Sequence, residues 1–258
     1  MSLTPEDDKA PLIEHLIELR GRLLKAALAI IIAFAGCLYV ADNIYAFLVK
    51  PYANAVAGQA DKRMIYTAMH EAFVVELKVA FFAAMMLTFP VIAVQIYKFV
   101  APGLYKNERR AFLPFLVATP VLFATGAALV YYMVIPMAWQ FFLGFETTGG
   151  DSALPIVLEA KVGEYLSLVM TLIFAFGLSF QLPVILVLLA RVGFVTSQGL
   201  KEKRKYAIVL TFAAAAFLTP PDVISQVALG IPILILYELS ILAIRMVENK
   251  RKAEEEAV

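Results

Sequence analysis

Six stretches of the chain run for 15 residues or more without an Asp, Glu, Lys or Arg: Ala26 to Ala41, Val79 to Tyr97, Ala111 to Phe145, Tyr165 to Ala190, Tyr206 to Pro221, and Val223 to Tyr237, the last resuming past Glu238 to Ile244. Stretches of this kind dictate the class of fold. A backbone buried in hydrocarbon finds no water, so each segment must satisfy its own amides as a helix, and about 20 apolar residues cross a core of roughly 30 Å. Hydrophobic residues make up 62% of the 258 and charged residues only 17%, where soluble domains carry about 25% charged. A soluble core could not hide that much apolar surface. The pattern predicts one all-α, polytopic membrane domain over residues 1–258, with six transmembrane helices.

The windows are unequal. The third holds 35 residues, too many for one perpendicular helix and too few for two with a turn. Pro136 and Trp139 suggest where it leaves the bilayer, since Trp favours the interface. In the fifth, only Tyr206 to Leu218 precede the Thr219-Pro220-Pro221-Asp222 break, a length of about 20 Å at about 1.5 Å per residue. The sixth carries Ser225, Gln226, Gly230, Pro232 and Glu238. The fifth and sixth helices are therefore expected to form a short hairpin, with a locally thinned membrane or a water-filled dent above its tip. Pro90, Pro114, Pro120 and Pro183 predict kinks, and curved walls follow from them.

Charge placement sets the orientation. Seventeen of the 22 Lys and Arg residues fall in the N-terminal segment, the second-to-third and fourth-to-fifth loops and the tail. The opposite side holds Lys50, Lys62, Arg63, Lys78 and Lys161. By the positive-inside rule both termini are cytoplasmic, in agreement with an even number of spans. The N-terminal segment carries Glu6, Asp7, Asp8, Glu14 and Glu18, unlike the basic opening of a cleavable signal peptide. Leu12, Leu16, Leu19 and Leu23 repeat there at helical spacing, with His15, Glu18, Arg22 and Lys25 opposite. Residues 1–22 thus read as a cytoplasmic amphipathic helix running into the first span, with Pro11 suited to its first turn. Residues 245–258 read as a charged cytoplasmic tail.

Signatures of catalysis are missing. His70-Glu71 opens like a zinc-protease motif, but position 74, where the second His ligand belongs, is Val74. No Gly-rich run ends in Gly-Lys-Ser/Thr to cradle phosphates. Cys37 is the one cysteine and lies in an apolar run, so it reads as a small packing residue. The chain is expected to be no enzyme, with no catalytic residues, no metal site and no cofactor. Its net charge of +1 gives no reason to expect nucleic acid as a partner.

Three separated motifs carry a family resemblance: His15-Leu16-Ile17-Glu18-Leu19-Arg20-Gly21-Arg22-Leu23 before the first span, Ala101-Pro102-Gly103-Leu104-Tyr105-Lys106-Asn107-Glu108-Arg109-Arg110 after the second, and Leu218-Thr219-Pro220-Pro221-Asp222-Val223-Ile224-Ser225-Gln226 between the last two. In this order they resemble the TatC family, the receptor subunit of the twin-arginine protein translocase of the bacterial inner membrane. The resemblance implies a concave, glove-like scaffold that binds signal peptides of folded cargo and organises the single-span partners TatB and TatA. It also implies a homo-oligomer within that complex and export driven by the proton-motive force.

The family's signal peptides carry two adjacent arginines, and guanidinium is read most selectively by carboxylates in bidentate geometry. The resemblance assigns that role to Glu18 and Glu108, with Phe99 as an apolar contact and Arg20 as an orienting residue. On residue chemistry alone, Glu18 could simply pair with Arg22 at i,i+4. Where many family members have a glutamate in the fourth span, this chain has Gln181, which cannot titrate. It remains open as a contact for the inserted peptide or a partner helix, or as interhelical glue. Thr219, Asp222 and Gln226 are implied as contacts for TatB and TatA, although Asp222 also suits a helix cap. Glu238 has no assigned role. The competing function is a proton- or ion-coupled secondary transporter for a small solute, which needs ionisable residues near the bilayer midplane. The spans offer almost none apart from Glu238.

Overall fold

The computed structural model describes residues 10–58, 62–100, 113–147, 154–218 and 223–256. In chain order the elements are α1 (Ala10–Tyr39), α2 (Ala41–Ala55), β1 (Met64–Ile65), α3 (Glu71–Val100), α4 (Leu113–Leu129), a π-helical turn (Val130–Val134), α5 (Ile135–Leu143), β2 (Ala160–Lys161), α6 (Val162–Ser179), α7 (Leu182–Val192), α8 (Ser197–Glu202), α9 (Arg204–Leu218) and α10 (Val223–Glu256). Among the described residues five helical stretches are long and apolar enough to cross a membrane: Ile13–Tyr39, Glu71–Phe99, Phe115–Leu143, Val162–Val192 and Gln226–Lys250. Helix α9 has 15 residues, about 22 Å against a hydrocarbon core of roughly 30 Å. Its shortness agrees with the sequence.

The sixth helix corrects it. Instead of a short partner to α9, α10 runs unbroken for 34 residues through Gly230, Pro232 and Glu238. Contacts with α5, α7, α8 and α9 hold it on several sides, and packing of that kind overrides the weak helix preference of one Gly and one Pro. Within α10, Glu238 accepts a hydrogen bond from Arg204, at the start of α9, at 2.6 Å. That pair also supplies the contact for Glu238 that the sequence left unassigned.

The long third window is one helical column, α4 and α5 joined by the π turn. Pro136 cannot donate to the carbonyl four residues back, and its ring crowds that carbonyl; a widened π turn immediately before it accommodates both problems. Trp139 is buried, 5.0 Å from the Tyr52 ring and 5.2 Å from the Tyr165 ring. It packs into the core from near the end of this column, which closes at Leu143. Pro183 breaks the fourth column at Phe180 and Gln181, between α6 and α7.

The core is built around α6, whose Leu166, Val169, Leu172, Ile173 and Phe176 are buried on one face. Lipid is as apolar as these side chains, so close packing must hold the helices together. The α4 and α6 helices meet through two glycines. A Cβ added at Gly126 lies 2.8 Å from the Phe176 carbonyl oxygen, and one at Gly177 lies 2.6 Å from the Phe123 ring. Cys37 is buried against α3 in a cluster with Ala80 and Ala84, a packing residue as its sequence setting suggested.

Away from the start of α1, short elements close the far end of the bundle. Pro51 inside α2 has no N–H for the Phe47 carbonyl, and Tyr131 Oη donates to that oxygen at 2.7 Å instead. Tyr165 Oη donates to the Leu48 carbonyl at 2.7 Å. β1 and β2 pair in parallel, Met64 with Ala160 and Ile65 with Lys161, a small addition to an otherwise helical fold. Lys62 pairs with Glu146, whose Oε1 also accepts from Leu158 N at 2.7 Å. The Lys62 ammonium, followed by that backbone N–H, holds the Glu146 carboxyl below the usual carboxylate range.

Replacing Gly126 by Ala is expected to destabilise the protein by about 1–3 kcal/mol through overpacking against α6, overriding the roughly 1 kcal/mol that Ala gains in a helix. Thermal unfolding in detergent, with Gly36→Ala at an open position as the control, measures it.

Candidate functional site

The N-terminal helix of the sequence and the first span are one continuous element, α1. Its early apolar side chains Ile13, Leu16 and Ile17 are exposed, and the helix leans on α3 along its length. The registration at the cytoplasm-assigned end is set by an aromatic stack: the His15 imidazole lies on the Phe99 ring, 4.2 Å between centroids and 18° from parallel. This contact joins residues 84 positions apart and was not foreseen.

Glu18 follows His15 by three positions and therefore shares its face of the helix. Its Oε2 lies 3.9 Å from His15 Nδ1. Its Oε1 accepts from Arg22 Nε at 3.1 Å and from Arg22 Nη2. The i,i+4 pairing read from the sequence is thus present. It occupies one oxygen, and an ionised carboxylate offers about four acceptor positions. The second oxygen, with the side chain about one-third exposed, remains accessible to an incoming donor. His15 thereby brings Glu18 and Phe99 into one cluster: an anionic oxygen, an imidazole and an apolar ring at the end of two packed helices.

Arg20 does not join it. Two residues beyond Glu18, it projects from another side of α1, is exposed, and makes no ion pair among the described residues. Glu108 lies outside the described residues, as do the rest of its loop, Thr219 and Asp222. The last described residue before that loop is Val100, next to Phe99.

Behind the cluster runs a polar chain that sequence reasoning missed. Tyr97 Oη and Thr119 Oγ1 are 2.7 Å apart, linking α3 to α4. The Thr119 carbonyl accepts from Gln181 Nε2 at 3.0 Å, which ties α4 to the corner between α6 and α7. Gln181 is 7% exposed and its Oε1 has no protein partner. Of the roles left open for Gln181, interhelical tethering is the one its contacts display. The signal for Tyr97 was its place as the last residue of a charge-free window.

Gln226 is half-buried and its Nε2 donates to the Phe212 carbonyl at 3.3 Å, fastening α10 to α9. Four residues on, Gly230 lets the Phe212 ring approach: a Cβ there would lie 2.7 Å from it. At the other end of α10, Glu248 accepts from Ser197 N at 2.9 Å and from Ser197 Oγ at 2.5 Å, and Tyr237 Oη donates to the Leu200 carbonyl at 2.7 Å. Among the described residues no group of three or more His, Cys, Asp or Glu side chains could hold a metal ion. What the arrangement offers chemically is recognition of a cationic, partly apolar ligand.

Comparison with known proteins points the same way. The family model described as Sec-independent protein translocase protein (TatC) matches residues 14–232. The Sec-independent protein translocase protein TatC of Magnetococcus marinus is 52% identical over 251 residues, covering 97% of this chain and 89% of the relative. That of Rickettsia prowazekii is 45% identical over 238 residues, covering 92% and 94%. A crystal structure described as the twin-arginine translocase receptor TatC in the detergent DDM superposes with a TM-score of 0.77 at 34% identity, covering 89% of this chain and 98% of that one.

Truncating Phe99 to Ala removes the stack that holds the start of α1 on α3. An aromatic pair is worth about 0.5–1.5 kcal/mol, so amide exchange over residues 14–20 is expected to speed up by as much as about tenfold. Exchange in α6 should stay unchanged.

Proposed function

Because the chain belongs to the TatC family of Sec-independent protein translocase proteins, we propose that it is the signal-peptide receptor of a twin-arginine translocase in a bacterial inner membrane. The observation that carries this reading is the Glu18–His15–Phe99 cluster at the end of α1 and α3. It presents a partly exposed carboxylate oxygen beside an apolar ring, at the point where the chain enters the loop containing Glu108. Glu18 and Glu108 each take one guanidinium of an adjacent arginine pair; Phe99 packs against the apolar residues that follow, and Arg22 keeps the Glu18 carboxylate oriented. Arg20 acts at most on the approach of the peptide, from the neighbouring face of α1.

Five long helices and the short α9 make six passes, with both termini in the cytoplasm, a reading the Lys and Arg distribution supports. The proline-kinked columns curve into a concave, glove-like wall, and the signal peptide lies against it near Gln181. The bilayer thins where α9 falls short. There the α9–α10 hairpin, with Thr219, Asp222 and Gln226, docks the single-span partners TatB and TatA. Several copies assemble with them, and the proton-motive force drives export of folded cargo.

The test is equilibrium binding of a synthetic signal peptide to the purified protein in nanodiscs. Bidentate, charge-assisted pairs are worth about 1.5–3 kcal/mol each, so the arginine-pair peptide should bind roughly ten- to a hundredfold more tightly than its Lys-Lys version. Glu18→Gln and Glu108→Gln should each remove most of that preference. Equal affinity for the two peptides would overturn the assignment.

A further inference from the structure

Two adjoining cavities open on the side of the bundle formed by α2, α3 and the π turn, away from the Glu18 cluster. The larger, about 470 Å³, is walled by apolar side chains including Phe82, Met86, Ala127 and Ile173. The smaller, about 240 Å³, is lined by Lys50, Asn54 and Pro136. Phe47, Tyr131 and Tyr132 line both, so the two are one groove. Its character changes along its length. The apolar part lies at the middle of α3 and the end of α4, and the polar part lies along the end of α2.

No acidic side chain lines either part, and Lys50 makes no ion pair among the described residues. Among the described residues the upper groove therefore carries one uncompensated positive charge beside an amide and the exposed Tyr132. The lower groove carries none. An occupant must pair a negative group with a long apolar segment. The lower volume, about 470 Å³ and apolar throughout, is adequate for an acyl chain. Phe47 and Tyr131, stacked at 4.3 Å and tied by the Tyr131 hydrogen bond, form a rigid wall.

We infer that this groove binds an anionic phospholipid, with an acyl chain against Phe82, Met86 and Ile173 and the phosphodiester at Lys50 and Asn54. Lys serves here as a point-charge phosphate binder. In the orientation proposed above the lipid belongs to the outer leaflet, but binding itself does not depend on the orientation or on the receptor role.

Native mass spectrometry of the purified protein, delipidated and titrated with equal amounts of phosphatidylglycerol and phosphatidylethanolamine, tests it. One tightly held adduct is expected, favouring phosphatidylglycerol roughly fivefold, the contribution of one Lys at a membrane surface. Lys50→Gln should bring the ratio to about one while keeping a bound lipid. Ala128→Phe, at an exposed groove position, should remove the adduct for both lipids; should that variant fold poorly, the Lys50→Gln ratio alone decides. Inorganic phosphate should not displace the lipid. Equal occupancy by the two lipids in the unaltered protein, or displacement by phosphate, would overturn the proposal. So would a photo-crosslinker at Leu87 that captures a second protein chain in native membranes.

Discussion

The need to satisfy every backbone amide without water governs this molecule. Prolines cut into several of its helices, and at two of these cuts the fold compensates for the lost amide. In α2 the carbonyl freed by Pro51 takes a hydrogen bond from Tyr131. Before Pro136 the column widens into a π turn. Before Pro183 the fourth column breaks, and Gln181, at the break, reaches across to the Thr119 carbonyl. The Tyr131 and Gln181 bonds run between columns, so each fixes one helix against another. With little hydrophobic force between helices in lipid, such ties and the glycine contacts between α4 and α6 determine the packing.

That rigidity positions the proposed receptor cluster. Glu18 sits on a helix whose apolar surface is largely exposed, and little along the start of α1 holds it except α3. The His15–Phe99 stack supplies the registration, and Tyr97, two residues before Phe99, anchors the same turn of α3 to α4. A carboxylate recognising a planar guanidinium has to be held in direction as well as in place. Arg22 supplies the direction while leaving one oxygen free.

Much of the fold was legible because charge marks where a helix cannot remain in lipid. The windows between charges located the five long columns and the undersized α9. The method failed at the sixth helix, where Gly230, Pro232 and Glu238 suggested a short partner to α9, yet α10 runs on for 34 residues. The burial of Trp139 was not readable either, because it depends on Tyr52 and Tyr165 from two other elements. Two-residue strands and a π turn leave no periodic signal. At the site, the Glu18–Arg22 pair was readable from helical spacing. The His15–Phe99 stack was not, because no local pattern links positions 84 apart.

The central claim is that one ligand, a twin-guanidinium signal peptide, engages the start of α1 and the loop after α3 together. A signal peptide carrying a photoreactive residue next to its arginine pair, crosslinked to the protein in native membranes and mapped by peptide mass spectrometry, tests this most directly. Adducts should fall within both residues 13–22 and residues 99–110, and should vanish when the arginines are replaced by lysines. Adducts confined to the α2 and β1–β2 end of the bundle, or indifferent to that replacement, would contradict the account.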